Sequence, residues 1–66
     1  MNITVNGNKE EIIRQTSLLD LLASKKIHPG KVVVELNTTI IEKHILADTI
    51  IQENDRIEIL RFVGGG

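Results

Sequence analysis

Apolar and polar positions alternate from the start of the chain. Ile3 and Val5 stand against Asn2, Thr4 and Asn6, the period-two pattern of a strand with one apolar face. Asn6-Gly7 then signals a hairpin turn, because both residue types tolerate positive φ. The returning strand is expected over Lys9 to Ile13, where the alternation is poor. Thr16-Ser17 opens a different period. Leu18, Leu21 and Leu22 share one helical face, with Ser17 as N-cap and Asp20 three residues on, a weak capping box that also suits the helix dipole. Lys25-Lys26 fits the last turn, and the helix must end before His28-Pro29-Gly30.

The second half returns to strands. Val32-Val33-Val34-Glu35-Leu36 is β-branched and strand-like, with Val32, Val34 and Leu36 expected to face the core. Asn37-Thr38 predicts a tight turn into the short strand Thr39-Ile40-Ile41. A loop or single helical turn is expected around Lys43 to Leu46, and a last turn at Gln52 to Asp55. The final strand, Arg56 to Val63, alternates cleanly through Ile57 and Ile59. A break in phase is expected at Ile59-Leu60, which puts Leu60 and Phe62 on the face opposite Ile57 and Ile59.

Strand, strand, helix, strand, short strand, strand is an α+β order, in which one main helix covers one face of a mixed four- or five-stranded sheet. A hairpin, a crossover helix and further strands describe the β-grasp, or ubiquitin-like, fold. In that fold the first and last strands pair in parallel at the sheet centre. The expected division is a β-grasp domain over residues 1–63 and a flexible C-terminal glycine tail over 64–66.

Composition narrows the function. A chain of 66 residues buries only ~60% of the surface its unfolded form exposes, which leaves little room for a catalytic cavity beside a core. The net charge of −1, with acids and bases interspersed, argues against a nucleic-acid partner, which would select clustered Lys and Arg. Without cysteine there is no disulfide or thiolate metal site, which fits the cytoplasm. No apolar run approaches the ~20 residues of a membrane span. His28 and His44 fall in predicted loops without metal-ligand spacing, so both are read as solvated, as are Glu10-Glu11 and Lys25-Lys26. No catalytic, cofactor-binding or metal-ligating residue is expected.

What remains is the end of the sequence. Three of the five glycines form Gly64-Gly65-Gly66. A thread without side chains enters a narrow active site that excludes any residue with a Cβ, and it would carry the Gly66 carboxylate there. The same run also fits a linker remnant. The strand before it tips the balance, since an ordered core would aim the tail at a fixed point. Leu60 and Phe62, with Val33 and Val63 beside them, would form an exposed apolar patch next to the tail, a candidate docking surface; a dimer or a twisted sheet covering them is the alternative. Phe62 is the sole aromatic residue, which singles it out for recognition.

Taken together, Val5-Asn6-Gly7, Leu18 to Leu22, Val34-Glu35-Leu36-Asn37, Asn54 to Ile59 and Phe62-Val63-Gly64-Gly65-Gly66 resemble the ubiquitin-like sulfur carriers, most closely the ThiS-type carriers of thiamine biosynthesis. The chain departs from that pattern at Asn54, where glycine is frequent, and at Thr38, where glycine or a charged residue is usual. The resemblance implies a protein cosubstrate, not an enzyme. An E1-like adenylating enzyme of the ThiF type would use ATP and Mg²⁺ to adenylate Gly66. Sulfur from a persulfide donor would displace AMP to give a Gly66 thiocarboxylate. A thiazole synthase of the ThiG type would receive the sulfur. Gly64, Gly65 and Gly66 would thread into both active sites, and the carrier would be a monomer when free. A molybdopterin synthase small-subunit-like carrier, a ubiquitin-like modifier and a plain β-grasp interaction module are the alternatives.

Overall fold

The computed structural model describes residues 1–62; Val63 to Gly66 lie outside the described residues. Five strands run in the order β1 (Asn2–Val5), β2 (Asn8–Glu11), β3 (Val32–Leu36), β4 (Thr39–Ile41) and β5 (Arg56–Arg61), with one helix, α1 (Leu18–Ser24), between β2 and β3. They form one sheet ordered β2-β1-β5-β3-β4. β1 pairs with β5 in parallel and the other neighbours are antiparallel. This is the β-grasp arrangement, with β5 at the centre of the sheet. Short 3₁₀ segments at Pro29–Lys31 and Lys43–Asp48 complete the described chain.

Both predicted hairpin turns form, with asparagine leading each. Asn6 and Gly7 have φ of 49° and 84°, and Asn37 and Thr38 have φ of 49° and 76°. Positive φ at both central residues matches the strand twist across a two-residue loop. Thr38 adopts this conformation despite its branched Cβ, a strained choice. Asn54, at φ 68°, is the other position where the sequence departs from glycine.

The helix begins as its sequence predicts. Ser17 Oγ accepts from the Asp20 N–H at 3.0 Å, and Asp20 Oδ2 accepts from the Ser17 N–H at 3.1 Å. The helix ends earlier than expected, at Ser24, so Lys25 and Lys26 follow the last turn instead of occupying it. Lys26 takes φ 59°, its N–H donates to Ala23 O, and the Ile27 N–H donates to Leu22 O. This is a Schellman closure with lysine where glycine is usual, and it stops the helix before Pro29 does. Lys25 is not simply solvated. Its Nζ lies 2.7 Å from Glu10 Oε2, both side chains about 30% exposed, tying the helix end to β2. The returning strand also ends earlier than expected, at Glu11, and Ile13 is left 81% exposed.

The core lies between the helix and one face of the sheet. Ile3, Val5, Val32, Val34, Ile57 and Ile59 meet Leu18, Leu21 and Leu22, and Leu36 packs against this cluster from a half-buried position. Two further members, Leu46 and Ile51, come from the connection between β4 and β5. That stretch has no clean period, yet it is pinned at the helix start: Leu18 N–H donates to Thr49 O and Ile51 N–H to Thr16 O, at 3.0 and 2.9 Å. Among the described residues no helix is long and apolar enough to cross a membrane.

Candidate docking face and the approach to the tail

The functional candidates converge on β5 because of its position. As the central strand, it is held by β1 on one side and β3 on the other. The register with β3 runs without interruption from Leu36↔Ile57 to Val32↔Arg61. The expected break in phase is therefore absent: the strand keeps its geometry, and what changes is the chemistry of its outer face. Glu58 gives way to Leu60 and then to Phe62, while Ile57 and Ile59 point into the core. The Phe62 N–H still donates to Lys31 O at 3.1 Å, which carries the pairing to the last described residue.

The outer face of the sheet gathers three of the four proposed docking residues. Val33 lies directly opposite Leu60 and is half-buried; Leu60 and Phe62 are 48% and 59% exposed. Val63, the fourth, lies outside the described residues, as do Gly64, Gly65 and Gly66. The face also recruits a residue that the sequence reading passed over. Ile40, 62% exposed, pairs with Glu35 on the outer side of β4. It was legible in principle, since a two-residue loop at Asn37-Thr38 fixes Leu36 opposite Thr39 and hence Ile40 opposite Glu35. Val33, Ile40 and Phe62 line one open depression together with Lys43 and His44. Lys43 Nζ stands 5.6 Å from the Phe62 ring centroid, within cation–π range.

Charge frames this patch. Glu35 and Glu58 face each other directly across β3 and β5, an unfavourable like-charge pair that makes the lower border of the apolar surface acidic. His44 is exposed, 3.6 Å from Glu42. His28 is exposed, and its Nδ1 accepts the Gly30 N–H at 2.9 Å, a local turn contact. Among the described residues no group of three or more His, Cys, Asp and Glu side chains could hold a metal ion.

A β-grasp domain whose central strand leads from an exposed apolar patch directly towards a triple glycine has the layout of a ubiquitin-like carrier protein. Comparison with known proteins narrows the class. The ThiS family model matches residues 3–66, and the chain belongs to the ThiS family. It is 37% identical over 65 residues to the sulfur carrier protein ThiS of Bacillus subtilis, covering 97% of this chain and 98% of that one. The crystal structure of a thiamine biosynthesis protein (ThiS) from Geobacter metallireducens superimposes with a TM-score of 0.86 at 33% identity, covering both chains fully. A thiazole synthase of Magnetococcus marinus is 35% identical over all 66 residues, and this chain spans only a fifth of that protein's length.

Proposed function

We propose that this chain is a sulfur carrier of thiamine biosynthesis, with the sulfur carried on the carboxyl carbon of Gly66. The observation that carries the reading is the outer face of the sheet in a ThiS-family chain: Val33 of β3, Ile40 of β4, and Leu60 and Phe62 at the end of β5 group into an apolar surface beside the strand whose sequence continues to Gly64-Gly65-Gly66. Such a surface lets a partner grip the domain while a thread without side chains reaches its reacting atoms.

The chemistry explains the division of labour. A carboxylate is a poor electrophile. An E1-like adenylating enzyme supplies ATP and Mg²⁺, and a Gly66 oxygen attacks the α-phosphorus and expels pyrophosphate. The acyl-adenylate carbon then accepts a sulfur nucleophile and releases AMP. Sulfide gives the thiocarboxylate directly; a persulfide gives an acyl disulfide that a thiol cleaves. A thiazole synthase consumes the sulfur, which fits the likeness of this chain to part of such an enzyme. The carrier acts as a monomer when free, leaving its patch open, and it works in the cytoplasm, beside ATP and thiol reductants. Its own side chains supply docking and aim, and the partners supply the acid, base and metal chemistry.

Incubating the protein with ATP, sulfide and an E1-like adenylating enzyme is expected to produce a mass gain equal to one oxygen replaced by sulfur, localised to Gly66. A leucine appended after Gly66 blocks the carboxylate within a peptide bond, and that form is expected to fold and dock while accepting no sulfur. Sulfur uptake by the extended form without proteolytic trimming would overturn Gly66 as the reactive site.

A further inference from the structure

Asn6 does two separable things. Its backbone takes φ 49° at the first position of the β1–β2 turn, a role that glycine fills equally well. Its side chain reaches out of the turn to β5: Oδ1 accepts from the Ile59 N–H at 2.7 Å, and Nδ2 donates to Ile59 O at 3.3 Å. Where β1 turns away after Val5, the Asn6 amide replaces the backbone that would have continued the parallel ladder. The Asn6 N–H itself donates to Ile57 O at 2.9 Å. One residue thus makes both the last regular rung on Ile57 and a side-chain rung on Ile59.

The other hairpin repeats the device at the opposite end of β5. Asn37, also at φ 49°, accepts the Arg56 N–H on Oδ1 and donates through Nδ2 to Asp55 Oδ1, both at 2.9 Å. Two turn asparagines therefore clamp the central strand, one near each end. The Asn6 clamp closes one residue before Leu60 and three before Phe62.

We propose that Asn6 is a positioning residue for carrier function: its amide holds the outgoing end of β5 so that Leu60 and Phe62 are presented preformed to the partner enzyme. This rests on the sulfur-carrier reading above. With the clamp removed, Ile59 loses its partner on the β1 side, so the strand end from Ile59 to Phe62 is held from β3 alone and a partner must order it on docking. That cost appears in apparent affinity and leaves the chemical step untouched.

The test uses Asn6→Gly, which preserves the turn and deletes the amide, and Asn6→Asp, which restores an acceptor for the Ile59 N–H. Amide hydrogen exchange in the free protein is the first readout. Asn6→Gly is expected to speed exchange at Phe62, whose own acceptor on Lys31 is unchanged, by roughly tenfold or more, with Leu22 and Val34 amides unaffected. Pyrophosphate exchange with a ThiF-type adenylating enzyme is the second. The apparent KM for Asn6→Gly is expected to rise roughly fivefold or more with kcat unchanged, and Asn6→Asp is expected to recover part of both effects. Unaltered Phe62 protection, uniform acceleration of all amides, or faster Phe62 exchange without a KM change would each overturn the positioning role. Absence of pyrophosphate exchange with the wild-type chain would overturn the carrier reading and the positioning role with it, while Phe62 protection would still report whether the clamp itself exists.

Discussion

The two faces of the sheet are built from the same strands and obey opposite rules. On the inner face, Ile3, Val5, Val32, Val34, Ile57 and Ile59 are buried beneath the helix. On the outer face, the residues between them include Val33, Ile40, Leu60 and Phe62, the last three largely exposed. A β-strand commits alternate side chains to opposite faces, so β3 and β5 each carry a buried core surface and part of the proposed docking surface in one stretch of backbone. Apolar residues on the inner face stabilise the domain. Those on the outer face stay in contact with solvent, and their grouping is the basis of the proposed docking surface.

The sharpest way to break this contrast is to truncate a residue on each side. Leu22, on the helix face that packs against the sheet, is fully buried, and Leu22→Ala is expected to destabilise by ~2–5 kcal/mol, a large part of the stability of so small a domain; chemical denaturation measures it. Phe62→Ser should leave denaturation within about 0.5 kcal/mol of wild type while weakening docking to the adenylating enzyme or the thiazole synthase by about 2 kcal/mol, read by titration calorimetry. Equal losses of stability and binding at Phe62 would mean that the outer face belongs to the core.

Smaller changes sharpen the comparison. Thr38 sits at φ 76° in the turn that fixes Ile40 on the outer face. Thr38→Gly relieves that strain and is expected to stabilise by about 1 kcal/mol with docking unchanged, since the register is preserved. A lower melting temperature for this variant would contradict the strain argument. The smallest effect concerns Glu35 and Glu58, opposed across β3 and β5. Glu58→Lys makes them an attractive pair, with an expected gain of about 0.2–1 kcal/mol that shrinks as salt is added. A gain that does not depend on salt would point to some cause other than charge.

Much of this molecule follows from local rules. The alternation of Ile3/Val5, Val32/Val34 and Ile57/Ile59, the Leu18/Leu21/Leu22 stripe, the Ser17/Asp20 capping box and the two asparagine-led turns each act over a few residues. The sequence alone therefore determined the order of elements, the β-grasp arrangement, the inner core of the sheet and the outward aim of Leu60 and Phe62. Tertiary structure decided what depends on partners distant in the chain. Leu46 and Ile51 complete the core from an aperiodic connection because it docks against the helix start. Lys25 meets Glu10 because a Schellman turn ends the helix beside β2. Ile40 joins Val33, Leu60 and Phe62 only because β3 pairs with β4 on one side and β5 on the other. The Asn6 amide finds Ile59 across 53 positions of sequence, because β1 and β5 lie parallel at the middle of the sheet. Periodicity records which way a side chain faces; only the pairing of strands settles what it meets there.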